Sequence, residues 1–151
     1  MSRVQLAINV SDLDEAVAFY SKLFASEPAK IRPGYANFAI AEPPLKLVLI
    51  EGSGEPGTVN HLGVEVADTE QVRQAGSRLA AEGLATATED EVSCCFAVQD
   101  KVWVDGPDGE PWEIYTVLAD AEHPAGEFCN ASTGEVTRCC TAAAESAARC
   151  G

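Results

Sequence analysis

The chain of 151 residues carries 24 acidic and 10 basic side chains, so its formal net charge is −14 with both histidines neutral. Such an acidic protein repels phosphate backbones, which excludes nucleic acid as its main partner. No apolar run approaches the roughly 20 residues of a membrane span, and no apolar leader follows Met1, so we expect a soluble, cytoplasmic protein. The six cysteines then indicate thiol chemistry or metal binding rather than a disulfide framework.

A segment that begins at Gln5 recurs without a gap from His61. Each copy opens with apolar and polar residues in alternation, which predicts a half-buried strand. An aspartate that can cap a helix follows each strand, Asp12 in the first copy and Asp68 in the second. Apolar residues at helical spacing then predict a helix in each copy, the second ending at Gly83.

Three short strand-like runs follow each helix. In the first copy they lie near residues 28–32, 35–41 and 45–51, and in the second near residues 84–92, 97–104 and 111–117. The chain therefore contains two βαβββ modules, about 2–51 and 58–117, joined by a glycine-rich connector at 52–57. We predict an α+β fold in which the two modules pair and form a curved mixed sheet around a metal-binding cleft.

Residues 118–151 contain few large apolar side chains and cannot build a core of their own. We predict that they form a C-terminal tail, which lies on the domain 1–117 or moves freely. The tail holds four of the six cysteines, which are Cys129, Cys139, Cys140 and Cys150.

Gln5 and His61 occupy equivalent positions on the first strands of the two modules, on the face turned toward the cleft. On the last strand Glu113 alternates with Trp112 and Ile114, and if it faces inward an amide, an imidazole and a carboxylate converge. This set is close to the 2-His-1-carboxylate triad, which leaves positions open on a non-haem Fe(II) for substrate and dioxygen. The alternative is an ordinary internal histidine with a solvated glutamine.

The dipeptide Cys94–Cys95 is the second chemical signal. Neighbouring side chains of a regular strand point to opposite faces, so two thiols bind one atom only where the backbone bends. We therefore predict a mobile loop or a bent, irregular strand end around residues 92–101, near the cleft mouth, that moves when a ligand binds. Paired thiolates prefer soft centres such as trivalent arsenic. The alternative is a pair of small buried hydrophobic residues.

Two stretches, Asn9–Phe24 and Val104–Tyr115, resemble the vicinal oxygen chelate superfamily, and the resemblance covers residues 1–117. The superfamily includes glyoxalase I, extradiol dioxygenases and bleomycin- and fosfomycin-resistance proteins. The resemblance implies metal ligands at Gln5, His61 and Glu113, although histidine is commoner than glutamine at the first position. It indicates the fold better than the reaction, since members include isomerases, transferases, dioxygenases and drug-binding proteins.

With the cysteine pair included, the chain resembles the C–As lyases, Fe(II)-dependent, dioxygen-using enzymes that demethylate or dearylate trivalent organoarsenicals. The resemblance implies that Cys94 and Cys95 bind the arsenic and that Cys139 and Cys140 are accessory thiols. Lys101 is a candidate catalytic residue for proton handling on its location alone. We expect Fe(II), with Ni, Co, Mn or Zn as substitutes, and a small organoarsenical as the partner. We expect no nucleic acid, no membrane, and a monomer or homodimer.

Three other functions remain open. A non-catalytic resistance protein would hold an arsenical or a drug in the cleft without forming a product. An extradiol dioxygenase would cleave catechols, with the cysteines incidental. A glyoxalase-type isomerase is disfavoured because it usually needs four protein ligands, and the first-module position that corresponds to Glu113 is predicted to be Lys46, a cation.

Overall fold

Both predicted βαβββ modules are present in the computed structural model, which describes residues 2–94 and 96–120. The first module comprises β1 (Arg3–Val10), α1 (Leu13–Phe24), β2 (Lys30–Arg32), β3 (Tyr35–Ile40) and β4 (Leu45–Glu51). The second comprises β5 (Val59–Glu65), α2 (Thr69–Ala81), β6 (Thr86–Cys94), β7 (Ala97–Asp105) and β8 (Pro111–Asp120). The predicted α+β class is confirmed.

The eight strands form one mixed sheet in the order β2-β3-β4-β1-β5-β8-β7-β6. In each module the first strand runs parallel to the last, β1 beside β4 and β5 beside β8, and the other neighbours are antiparallel. β1 and β5 join the modules, with Leu6 opposite Leu62. One edge of each module, β1 in the first and β5 in the second, is thus covered by the other module, which places the equivalent strands of the repeat side by side.

Each helix begins at the predicted aspartate. The Asp12 carboxylate accepts from the backbone N–H of Glu15 at 2.9 Å, and Asp68 accepts from that of Gln71 at 2.9 Å. Caps of this kind stabilise a helix by about 1 kcal/mol. Helix α1 covers one face of the first module, over a buried apolar cluster of Leu13, Ala36, Phe38, Ile40, Leu47 and Leu49.

The opposite face of the sheet is concave. Phe96 lies at the tip of the β6–β7 hairpin, yet its ring packs against Tyr35 on β3, with ring centroids 5.2 Å apart. β3 and β7 are separated by four strands in the sheet order, so the sheet must curl until its two halves face each other. This concave face holds buried polar side chains, among them Gln5, Asn9, His61, Lys101 and Glu113.

The β6–β7 hairpin differs in part from the prediction. Residues 92–94 pair with residues 97–99, so a loop over residues 92–101 is wrong. The irregular part of β6 lies just before this segment, because the register shifts between Glu89 and Val92, whereas residues 92–94 pair regularly up to the strand end. Within this irregularity Glu91 has a φ of 50°, and its backbone N–H donates to Asp100 Oδ1 at 2.7 Å. Asp100 thereby stabilises the bend in β6.

The last strand extends further than predicted. β8 continues to Asp120, which pairs with Ala97, so the sheet includes three residues beyond the expected domain end at 117. The tail cysteines predicted as accessory thiols, Cys139 and Cys140, lie outside the described residues. Between residues 2 and 120, Cys95 excepted, no helix is both long enough and apolar enough to cross a membrane.

Candidate functional site

Three side chains from three strands meet on the concave face. Gln5 on β1, His61 on β5 and Glu113 on β8 are 4%, 1% and 2% exposed. The Gln5 Nε2 atom lies 2.6 Å from Glu113 Oε1 and 3.1 Å from His61 Nε2. His61 Nε2 and Glu113 Oε1 are 3.3 Å apart. The structure therefore brings together the three residues that the repeat and the strand alternation predict to converge.

The imidazole of His61 is oriented by Asn60, its neighbour in the chain. Ala7 pairs with His61 and Ile8 pairs with Val59, so Asn60 is an extra residue in β5, at a β-bulge. Asn60 Oδ1 lies 2.7 Å from His61 Nδ1. Because an amide oxygen only accepts, His61 Nδ1 carries the proton, and in the neutral ring Nε2 keeps its lone pair toward the other two side chains.

Asn60 is itself held in place. Its Nδ2 atom donates to Asn9 Oδ1 at 3.0 Å and to Ser53 Oγ at 2.9 Å. A histidine that binds a metal commonly has such an acceptor behind it, which fixes its tautomer and ring orientation. Strand alternation places Asn60 on the helix-covered face, so the prediction missed it. The only sign of this role in the sequence is that Asn60 is polar, whereas Val4 at the equivalent position of the first module is apolar.

Glu113 is held as a carboxylate. Burial alone raises the pKa of Glu113, but the charge of the Lys101 ammonium and its hydrogen bond outweigh burial and hold that pKa well below its usual value. Lys101 is fully buried, donates from Nζ to Glu113 Oε2 at 2.8 Å, and lies near the rings of Trp103 and Tyr115. One carboxylate oxygen is thus bound to Lys101, and the other faces Gln5 and His61.

A second polar cluster lies behind Gln5. Tyr115 donates its hydroxyl to Gln5 Oε1 at 2.5 Å, and Glu65 Oε2 lies 3.2 Å from the same hydroxyl. Burial raises the pKa of Tyr115 far above its usual value, so the phenol stays protonated. Glu65 accepts from Arg3 Nε at 3.0 Å and lies 3.7 Å from Lys46 Nζ. This cluster was not predicted, since it depends on side chains from four strands.

Lys46 is not the counterpart of Glu113 in the first module. The pairing of β1 with β4 places Val48 opposite Ala7, and the pairing of β5 with β8 places Glu113 opposite Gly63. Ala7 and Gly63 are equivalent positions of the repeat, so Val48 takes the place of Glu113. The prediction of Lys46 was wrong because it was made without the strand register. A valine has no ligating atom, so the first module still offers no carboxylate there.

The donor set suits a divalent transition metal. His61 Nε2 and Glu113 Oε1 present lone pairs to one region, and half a turn of the Gln5 amide would add its Oε1 atom. Gly63 leaves room for these groups, since a Cβ there would lie 3.0 Å from Glu113 Cγ and 3.3 Å from Gln5 Nε2. In the part of the chain that the structure describes, no three His, Cys, Asp or Glu side chains are grouped to hold a metal. The amide is therefore essential to the candidate set.

Replacing Glu113 by alanine in the metal-free protein is expected to lower the free energy of unfolding by about 3–5 kcal/mol, because the buried Lys101 ammonium loses the carboxylate to which it donates. Urea denaturation in the presence of EDTA measures this loss. The pKa of Glu113 is lower in the folded chain than in the unfolded one, so its contribution is present above pH 4.5. That contribution is lost as the pH falls toward about 2.

The matched control for this prediction is Glu65→Ala. Its ion pair with Arg3 is partly exposed, and such pairs contribute about 1 kcal/mol or less. The double variant Glu113→Ala, Lys101→Met should recover most of the stability, because it removes the buried ammonium as well. If Glu113→Ala and Glu65→Ala lowered the free energy of unfolding equally, the prediction that the buried Lys101 is stabilised by Glu113 would be contradicted.

The β6–β7 hairpin, called the cysteine hairpin because Cys94 and Cys95 belong to it, reaches the same concave face. Cys94 is the last residue of β6 and pairs with Ala97 at the start of β7, and Cys95 lies outside the described residues. Phe96 follows with a φ of 61°, which is uncommon for a bulky residue and marks a tight turn. Cys94 thus lies at the regularly paired end of β6, and the predicted binding of one atom by the cysteine pair stays a prediction.

Phe96 anchors this hairpin tip to the first module. Its side chain is 5% exposed and packs in a cluster with Ala7, Tyr35 and Val48. Its carbonyl accepts from Lys30 Nζ at 3.1 Å. Ala7 follows the candidate ligand of β1 by two residues on the same face. The tip is therefore held beside the candidate centre although it is remote from it in the sequence.

Two surface depressions in the described part of the chain lie away from this centre. One of about 600 Å³ is lined by residues around the start of α1, including Asp12 and Glu51, and another of about 290 Å³ is lined by residues including Phe19. Neither includes a member of the candidate centre. Both depressions are open, and among the described residues the histidine, carboxylate and amide converge in the buried centre instead.

Taken together, the curled sheet of two paired βαβββ modules and the buried histidine, carboxylate and amide define a class of two-module proteins with a candidate metal centre on the concave face. The chain belongs to the glyoxalase/bleomycin resistance protein/dioxygenase superfamily, whose family model matches residues 3–114. The superfamily predicted from the sequence is confirmed.

Individual relatives share more than the fold. The chain is 66% identical over 123 residues to a trivalent organoarsenical cleaving enzyme of Thermomonospora curvata, covering 81% of this chain and 82% of that protein. It is 60% identical over 142 residues to the cadmium-induced protein CadI of Mycobacterium tuberculosis, covering 93% of each. A Mn(II)-bound glyoxalase from Novosphingobium aromaticivorans has a similar fold, with a TM-score of 0.56 and 20% identity, over 80% of this chain and 42% of that one.

Proposed function

We propose that the protein is an Fe(II)-dependent, dioxygen-using C–As lyase that converts trivalent methyl or aryl arsenicals to inorganic arsenite. The observation that carries the proposal is that the hairpin bearing Cys94 and Cys95 is anchored on the same concave face as Gln5, His61 and Glu113. The 66% identity to an enzyme named for the cleavage of trivalent organoarsenicals supports this substrate class.

In this proposal the cysteine hairpin holds the arsenical. The thiolates of Cys94 and Cys95 displace two hydroxyls from trivalent arsenic, and the organic group remains as its third substituent. The tight turn at Phe96, directly after the pair, is where the chain leaves the regular alternation that would separate two consecutive thiols. The anchored tip then positions the C–As bond near the centre, and positioning of this kind removes a large part of an activation barrier.

The metal is assigned to His61, Glu113 and Gln5. Asn60 and Lys101 orient the first two of these ligands, as outer partners of metal ligands commonly do. When bound there, Fe(II) supplies open coordination positions and the electrons that activate dioxygen. Because an amide is a weaker ligand than imidazole, we expect the site to exchange Fe(II) for Ni, Co, Mn or Zn.

The test of the proposed function is turnover. Protein loaded with Fe(II) is mixed in air with a large molar excess of methylarsenite or a trivalent aryl arsenical, and arsenic species are separated by chromatography with mass-spectrometric detection. We expect inorganic arsenite in amounts that exceed the protein. Matched controls are the Zn(II)-loaded protein and the Fe(II)-loaded protein under nitrogen, neither of which should release arsenite.

The same assay separates the alternatives. Binding of one arsenical per chain without arsenite would contradict the lyase and favour a sequestering resistance protein. Cleavage of a catechol ring without arsenite would favour an extradiol dioxygenase. Arsenite release by the Zn(II) form, or without dioxygen, would contradict the proposed requirement for iron and dioxygen.

A further inference from the structure

The hydroxyl of Tyr115 lies between two acceptors but has only one proton. It donates to Gln5 Oε1 at 2.5 Å, and Glu65 Oε2 lies at 3.2 Å. The NH₂ group of Gln5 consequently points away from Tyr115 and toward the candidate centre, where its Nε2 atom donates to Glu113 Oε1 and faces His61 Nε2. In this state the amide presents the wrong end to a metal ion, because an amide nitrogen has no lone pair to offer.

Metal binding requires the opposite orientation of the Gln5 amide. When Oε1 turns toward the metal, the NH₂ group takes its place beside Tyr115, whose hydroxyl oxygen must then accept a hydrogen bond. The hydroxyl proton becomes available to Glu65 Oε2. Glu65 can accept a hydrogen bond from this hydroxyl, because its carboxylate is ion-paired with Arg3 at 3.0 Å and lies near Lys46.

We propose that Tyr115 and Glu65 are positioning residues whose hydrogen bonds reverse direction on metal binding and thereby turn Gln5 into a ligand. This inference rests on the proposed function, because it takes the metal site as given. Without metal, Tyr115 shares its one proton between Gln5 Oε1 at 2.5 Å and the more distant Glu65 Oε2 at 3.2 Å. With metal, the hydroxyl accepts from Gln5 and donates its proton to Glu65 alone. The hydrogen bond to the charged Glu65 is charge-assisted and becomes undivided, so the chain of hydrogen bonds favours the metal-bound state.

The test compares Tyr115→Phe in two backgrounds, the wild-type chain and Gln5→Glu. Co(II) is the probe, titrated under nitrogen and followed by its visible absorption. In the wild-type background we expect binding to weaken by about 10–100-fold, the size typical for residues that orient metal ligands. A carboxylate at position 5 has two equivalent oxygens, so Tyr115 donates to it with or without metal. In this background Tyr115→Phe therefore removes the same hydrogen bond from the metal-free and the metal-bound protein. We expect the affinity for Co(II) to change by less than about 3-fold.

Equal losses of Co(II) affinity in the two backgrounds, or no loss in the wild-type background, would overturn the inference and leave the metal site standing. Failure of the wild-type chain to bind Co(II) would overturn the proposed function together with the inference. Thermal unfolding of the metal-free variants checks that each is folded. If Tyr115→Phe does not fold, Glu65→Ala breaks the same chain of hydrogen bonds at its partly exposed end, and it should likewise weaken binding more in the wild-type background than in Gln5→Glu.

Discussion

Loss of arsenite release is the expected result of replacing Cys94 and Cys95 together by serine. A serine hydroxyl is a hard, neutral ligand and does not replace a thiolate on arsenic(III), so the substrate is no longer held beside the centre. Either single replacement should also abolish turnover, since one thiolate leaves the arsenical free to rotate. Fe(II) content should remain at the wild-type level, because neither cysteine belongs to the proposed ligand set.

The rate of arsenite release from methylarsenite, at equal iron content, measures this effect. Cys139→Ser, Cys140→Ser is the matched control, since it also removes two adjacent thiols but from the predicted accessory pair. That control should retain turnover at high substrate concentration. If Cys94→Ser, Cys95→Ser released arsenite at the wild-type rate, the lyase proposal would fall and a catechol dioxygenase with incidental cysteines would be favoured.

The fold was predictable to a large extent because its signals are local and occur twice. Alternation after Gln5 and after His61 predicted the two central strands, and Asp12 and Asp68 marked the helix starts. β6 was harder to predict, because residues 89–93 include three consecutive acidic side chains and have low strand propensity. Pairing with β7 overrides that propensity, and long-range pairing of this kind has no local signature.

The candidate centre was predictable only where the alternation of side chains along a strand decides which face a side chain points to. This alternation predicts the convergence of Gln5, His61 and Glu113, because a strand slipped by one residue would expose all of its apolar side chains. Asn60 escapes this rule, since a bulge turns its side chain toward the centre. Phe96 escapes it as well, because its contacts form only when the curled sheet brings its two halves together.

These two missed residues indicate how the parts of the proposed site cooperate. Asn60 leaves a lone pair of the imidazole facing the centre, and Phe96 fixes the hairpin that carries the cysteine pair. Neither side chain supplies a ligand in the proposal, yet each determines where a proposed ligand lies. The repeat thus encodes the positions of the reactive groups, whereas local departures from regular pairing encode their orientation.

Replacing His61 by alanine is expected to weaken metal binding by more than about 100-fold, beyond the loss typical for a residue that only orients a ligand. Glu113→Ala should have a comparable effect, since it removes the only charged member of the set. Gln5→His should retain or strengthen binding, because an imidazole is a better ligand than an amide. Asn60→Ala should weaken metal binding by about 10-fold, since the imidazole keeps its lone pair but loses the partner that orients it.

Metal content after gel filtration, together with Co(II) titration, tests this order of effects. His123→Ala is the matched control, because it removes the other histidine of the chain and should leave metal content unchanged. Equal metal content in the wild-type chain and His61→Ala would contradict the assignment of the centre. A loss in Gln5→His as large as that in His61→Ala would instead place the metal away from β1, because a stronger ligand at a true ligand position does not weaken binding.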